Sequence, residues 1–242
     1  MTPQPQPEQQ APPVQRLRIR YAKRGRLRFT SHRDFSRAFE RAVFRARVPM
    51  AYSSGFNPHP RISYAGAAPT GAASEAEYLE VGLAQVTDPD DVRRALAEAM
   101  PDGLDVLEVV VSGGGSLADR LEASRWSVAV ALPPEVVDPA VAAFLAAESV
   151  PVERMTKKGL RTFDCRQAVV ALTLVLEGPG DPGGSSVLDL TLRHTVPAVR
   201  PDDVLTGLGA VAGLRPDSPP LLTRLRQGPL DPVTGEVGDP LH

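Results

Sequence analysis

The sequence predicts an α+β protein made of tandem ferredoxin-like (βαββαβ) units, with an inserted hairpin in the second. Three observations predict it. Residues 16–22 alternate apolar and basic side chains, the period-two pattern of a half-buried strand. Residues 35–46 repeat apolar side chains at helical spacing, and strand and helix together begin a β-α-β-β-α-β order. After the glycine run 113–115 that order starts again.

In the first unit, residues 15–112, the opening strand turns Leu17, Ile19 and Tyr21 toward a core and Arg16, Arg18 and Arg20 to a cationic face. A turn at 23–25 leads through Leu27 and Phe29 to Ser31, and Asp34 three residues later completes a variant of the capping box that starts helices. Phe35, Ala38, Phe39, Ala42, Val43 and Ala46 then form one apolar stripe. Pro49 stops this helix, because its ring fixes φ and removes a backbone donor. The turn-rich segment 52–61 precedes strands at 62–65 and 77–84. A helix opened by Asp88-Pro89-Asp90 buries Val92, Leu96 and Met100, and a strand returns at 104–111.

Residues 113–122 read as a linker to the second unit, 123–228. Its strand at 126–132 leads to a helix at 139–147, an extra hairpin within 152–166, and strands at 168–176 and 187–195. Asp202 and Asp203 open a helix over 201–214, and a last strand covers 221–226. Residues 1–14, rich in Pro and Gln, read as a disordered or polyproline-like tail, and 229–242 as a flexible one.

Composition narrows the function classes. A chain of 242 residues that is 42% hydrophobic can bury a sizeable core. Its single cysteine, Cys165, can neither form an internal disulfide nor by itself hold a structural zinc or an iron–sulfur cluster. The apolar-rich stretch 168–176 is far short of the ~20 residues a bilayer-spanning helix needs. Residues 1–13 lack the basic and apolar regions of a signal peptide. A cytoplasmic protein with no membrane contact, no metal and no cofactor is expected.

The formal net charge of −2 hides an asymmetry. Residues 16–61 carry thirteen Lys and Arg against only Asp34 and Glu40, a local charge of +11, and the remainder of the chain is −13. Arg33, Arg37, Arg41 and Arg45 recur every fourth residue and so form a stripe beside the apolar face. Arg18 and Arg20 join them if strand and helix pack side by side. Guanidinium forks match phosphate oxygens bidentately, so the segment points to nucleic acid, with an acidic protein surface or a solvated face as alternatives.

Phe29-Thr-Ser-His-Arg-Asp-Phe35, Arg41-Ala42, Ser54-Gly-Phe-Asn-Pro-His-Pro-Arg61 and Ala73-Ser-Glu-Ala-Glu-Tyr78 resemble a bacterial family of radical-SAM-linked proteins. The resemblance runs from residue 16 to about residue 226, through Thr156-Lys-Lys-Gly159 and Asp164. Members of that family occur fused to, or encoded beside, a radical SAM protein. The resemblance therefore implies a radical SAM protein as partner. Such an enzyme needs three cysteines on one loop for its cluster, so the radical chemistry would reside on the partner. This chain would be its RNA-binding or RNA-presenting companion in tRNA or rRNA modification or processing. No catalytic residue carries over.

In the Gly55-Phe-Asn-Pro-His-Pro60 loop, Phe56 and His59 can stack on unpaired bases and Asn57 can read a base edge, with the prolines holding the chain rigid. The same loop can simply shape a strand entry, with Phe56 as a buried plug. Arg61 and the hairpin-tip Lys157 and Lys158 would extend a phosphate track. His32 and His59 are the acid–base pair available to a metal-independent endoribonuclease, although His32 falls in the first helical turn, where a capping role competes. A third reading is a protein–protein adaptor that docks the radical SAM partner through the basic face. Glu75, Glu77 and Glu80 are expected to pair with Arg61 or a first-strand arginine. Cys165 reads as a small buried hydrophobe.

Overall fold

The alternating opening segment becomes strand β1 (Gln15–Lys23) in a computed structural model that describes residues 9–156, 159–175 and 185–242. β1 pairs antiparallel with β3 (Ala73–Leu83) on one side and β4 (Val106–Val111) on the other, and β2 (Ile62–Ala65) pairs antiparallel with β3. The first unit, which runs to Ala118 and includes Leu241 and His242, therefore has strand order β4-β1-β3-β2. Register opposes Leu17 to Val81 and Ile19 to Leu79, so one sheet face is apolar. Helices α1 (His32–Arg45) and α2 (Pro89–Ala99) supply Phe35, Phe39, Val92 and Leu96 to the same core. Each such side chain contributes about 1.5–3 kcal/mol when fully buried. Tyr21 stacks on Phe35 with ring centroids 4.2 Å apart, tying strand to helix.

Local signals set the helix ends. Ser31 Oγ accepts the Asp34 N–H at 3.2 Å and donates to Asp34 Oδ2 at 2.6 Å, so the expected cap forms. α1 stops before Pro49 is reached. Val48 N–H bonds the Val43 carbonyl and Arg47 N–H the Phe44 carbonyl, each at 3.1 Å, the paired closure that requires a left-handed residue between helix and loop. Arg47 takes that place at φ 54°, where glycine is the usual occupant. At α2, Asp88 Oδ1 accepts the Asp90 N–H at 2.7 Å.

The second unit, Asp119–Pro240, comprises β5 (Ala123–Val130), α3 (Pro134–Ala146), β6 (Pro151–Thr156), β7 (Gly159–Asp164), β8 (Val169–Val175), β9 (Ser186–Arg193), α4 (Pro201–Ala212) and β10 (Leu221–Gly228). Its strand order is β10-β5-β9-β8, all antiparallel, and β6 and β7 pair separately as the inserted hairpin. Trp126, Phe144, Leu172, Leu190, Val204 and Leu208 are buried in it. The protein is thus α+β with antiparallel strand pairing.

Several boundaries differ from expectation. β3 begins at Ala73 rather than residue 77, and α3 at Pro134 rather than residue 139. Pro139 suggests a helix start because proline suits the first turn, but Pro134 fills that role and Pro139 lies inside the helix. The segment read as a linker is tied down: Leu117 and Leu121 are buried, and the Gly114 and Gly115 carbonyls accept from Arg18 Nη2 at 2.6 and 3.0 Å. The segment read as a flexible tail, 229–242, folds back on itself through a Leu230–Val237 bridge. Asp231 Oδ1 accepts the Val233 and Thr234 N–H groups, and Val237 is buried. Of the expected N-terminal tail, residues 1–8 lie outside the described residues. The Gln10 N–H donates to Ser54 Oγ at 2.9 Å and the Val14 N–H to the Leu83 carbonyl at 2.9 Å. Among the described residues, no helix is long and apolar enough to cross a membrane.

Candidate functional site

Nine of the thirteen basic residues of the 16–61 segment, all arginines, fall into two populations. Arg16, Arg18, Arg20 and Arg24, in and just after β1, are committed to carboxylates, whereas Lys23 of the same strand donates to the Ala68 and Pro69 carbonyls. Arg16 reaches Glu80 Oε1 at 3.0 Å, Arg18 Nε reaches Glu80 Oε2 at 3.2 Å, Arg20 pairs with Glu108 at 3.2 Å, and Arg24 pairs with Glu75 and with Asp105. The side chain of Arg18 is 0% exposed, so it is removed from the candidate surface. The β1–β3 register sets Glu80 directly opposite Arg18, and charge-assisted bonds offset the desolvation that burial imposes. Burial pushes the Glu80 carboxyl upward, but the donors of Arg16, Ser112 and Arg18 outweigh it and hold the carboxyl below the usual range. The expected pairing of the acidic cluster with β1 arginines thus holds for Glu80. Glu77 is buried and accepts the Ala68 N–H at 3.1 Å, and Arg61 Nε donates to the Tyr52 carbonyl at 3.1 Å.

The helical arginines are the second population. Arg33, Arg37, Arg41 and Arg45 are exposed along α1, Arg47 is exposed just beyond it, and among the described residues none of the five makes an ion pair. Like charges four residues apart on a helix repel, so the stripe is a local cost that folding does not relieve. Arg45 and Arg47 also sit at the helix C-terminus, where the macrodipole favours cations. Set among them is Phe44, 84% exposed, in a surface depression with Arg37, Glu40, Arg41 and Arg45. A groove continues from Phe44 past Arg47 and Met50 to Tyr52 and Pro60.

Pro60 leads into the irregular loop. Ser53 N–H bonds the His59 carbonyl at 2.9 Å, His59 N–H bonds Ser53 Oγ at 3.0 Å and Arg61 N–H bonds the Ala51 carbonyl at 2.8 Å, so the loop is a narrow ribbon with residues 54–58 at its tip. Gly55 turns the tip at φ 130°. Phe56 is 68% exposed and Asn57 and His59 are exposed as well, which overturns the buried-plug reading of Phe56.

The two candidate catalytic histidines have separate settings. His32 is exposed in the first turn of α1 with its ring edge-on to Tyr64, centroids 4.9 Å apart, and His59 sits in the ribbon. Neither ring has a hydrogen-bond partner among the described residues, and the groove at Phe44 includes neither. Lys157 and Lys158 lie outside the described residues. In the second unit, burial pushes the Cys165 thiol up to about 12, which suits the small buried hydrophobe expected there. The carboxylate of Asp164 accepts the Val150 and Arg166 N–H groups at 2.9 Å each, closing the chain around the inserted hairpin.

Sequence reasoning missed Phe44, Glu40 and Arg47. The signal for Phe44 was present: it is a large apolar residue one position beyond Val43, outside the apolar stripe and among the arginines. Arg47 gave none, because its left-handed backbone is visible only in the folded chain.

No curated protein matches the sequence. Residues 16–201 match a family described as an uncharacterized protein conserved in bacteria, DUF2344, a match that runs from the second residue of β1 through β9 and takes in the arginine helix. This chain belongs to that bacterial family.

Proposed function

We propose that the first unit binds RNA through the arginine stripe of α1, and that the protein is the RNA-binding or RNA-presenting companion of a radical SAM enzyme in tRNA or rRNA modification or processing. The observation that carries this reading is the partition of charge. The β1 arginines are paired with Glu80 and Glu108, whereas Arg33, Arg37, Arg41 and Arg45 keep their charge without a counter-ion among the described residues. A polyanion relieves the repulsion along that stripe, and guanidinium forks suit phosphate. Exposed Phe44, Tyr52 and Phe56 beside it suit unpaired bases better than an acidic protein surface. The radical SAM association rests on the sequence resemblance. We also read each unit as ferredoxin-like, supported by the strand orders β4-β1-β3-β2 and β10-β5-β9-β8 with one helix in each of the two crossovers.

Binding to bulk tRNA at two salt concentrations tests the reading. Affinity should fall steeply with salt. Arg37→Ala, Arg41→Ala and Arg45→Ala together should flatten the slope of log K against log salt by about 2, since each phosphate left without its arginine removes ~0.7 from it. Absence of tRNA binding at low salt would remove the proposal, and an acidic protein partner would then be the occupant of the stripe.

A further inference from the structure

The stripe alone needs no aromatic residue, yet Phe44 stands in it almost fully exposed. Its neighbours Phe39, Ala42 and Val43 are buried in the core, so the apolar face of α1 is already satisfied without it. Helical side chains lean back over the preceding turn, which here carries Glu40 and Arg41. Glu40 makes no hydrogen bond or ion pair among the described residues although Arg37 and Arg41 share its depression. One surface thus gathers a bare aromatic ring, three guanidinium groups and an uncommitted carboxylate.

Building on the RNA-binding reading, we propose that Phe44 is the stacking platform for one unpaired base of single-stranded RNA, with Arg41 and Arg45 on the flanking phosphates and Glu40 accepting from the donor edge of the base. Stacking needs a base face, which a duplex hides, so the site selects single strands. A carboxylate only accepts, so it favours the base that offers paired donors. Guanine presents N1–H and its amino group side by side, whereas uracil presents a single N–H between two carbonyls. The ribbon with Phe56 and Asn57 at its tip adjoins the same groove through Tyr52 and Pro60, leaving room for a neighbouring nucleotide.

The test uses the full chain and fluorescence anisotropy with three probes: a short oligouridine, the same oligomer carrying one central guanosine, and a blunt RNA duplex. The guanosine oligomer should bind most tightly and the duplex least. Phe44→Ala should weaken both single strands roughly 5- to 150-fold and leave the duplex unchanged, and Phe44→Trp should restore binding. Glu40→Gln should erase the guanosine advantage while strengthening oligouridine binding slightly. Both side chains are exposed, so the variants fold. Equal binding of single strands and duplex, unaffected by Phe44→Ala, overturns the stacking site while leaving the RNA-binding reading in place. A guanosine advantage that survives Glu40→Gln overturns the role of the carboxylate. No binding of any probe at low salt overturns the RNA-binding reading itself.

Discussion

Arg18 and Glu80 face each other across the β1–β3 ladder, and the guanidinium, wholly removed from solvent, donates through Nε to Glu80 Oε2 at 3.2 Å. The same carboxylate also receives Arg16 at 3.0 Å and the Ser112 hydroxyl at 2.9 Å, while Arg18 Nη2 is held by the Gly114 and Gly115 carbonyls. One half-buried glutamate therefore organises β1, β3 and the end of β4.

Breaking that pair from one side leaves a buried charge uncompensated. Glu80→Gln should destabilise the first unit by about 3–5 kcal/mol, whereas Arg18→Met combined with Glu80→Leu should cost much less, because two apolar groups replace two desolvated charges. Urea denaturation of the three proteins, compared at constant m-value, checks the ordering.

His194 predicts a pH dependence. Its Nδ1 contacts the Leu121 carbonyl at 2.7 Å and Nε2 lies 3.2 Å from Ser124 Oγ, which also receives the Trp126 indole N–H at 2.8 Å. Burial pushes its pKa below the ordinary value, and nearby Arg224 adds to this against the opposing carbonyl bond. The neutral ring is thus the folded form. Its contribution is fully present above the unfolded-state pKa of about 6.5 and is lost as pH falls through the lower folded value. The melting temperature should drop between pH 7 and pH 5, and His194→Gln should flatten that part of the profile. Glu80, also depressed, contributes above an unfolded-state pKa of ~4.3 and loses its contribution only at lower pH, so the two windows separate.

Gly207 of α4 lies against Cys165. A Cβ there would stand 2.8 Å from Cys165 Sγ, 2.9 Å from the Phe144 ring and 3.0 Å from a Val150 methyl. Gly207→Ala should cost about 1–3 kcal/mol of stability through overpacking, despite the better helix propensity of alanine. Cys165→Ala should recover part of that loss in the double variant although it is destabilising alone, a non-additivity that a double-mutant cycle reads directly.

Arg47→Gly should separate stability from binding. Relief of the left-handed strain should stabilise the chain by about 0.5–1 kcal/mol, and loss of the charge should weaken tRNA binding and its salt slope. A rise in melting temperature with unchanged tRNA affinity would exclude Arg47 from the interface.

Most elements were legible from periodicity and punctuation. The apolar spacing from Phe35 to Val43 and the Ser31 and Asp88 caps are local signals, and the elements they announce formed. The misplaced start of α3 came from reading Pro139 as a first-turn residue when Pro134 already served, and the apparent tail beyond residue 228 came from composition, which is blind to the Leu230–Val237 pairing.

The sequence by itself determined where strands and helices lie and that positive charge concentrates in residues 16–61, because both depend on neighbours a few positions apart. Tertiary structure alone decided which of those charges are available. Glu80, Glu108, Glu75 and Asp105 are remote in sequence from the arginines they pair with, and only strand pairing brings them within reach, since Coulomb attraction between side chains becomes decisive at a few ångströms and under burial. The charges of the cationic face expected of β1 were thereby paired, and the α1 stripe around Phe44 remained open.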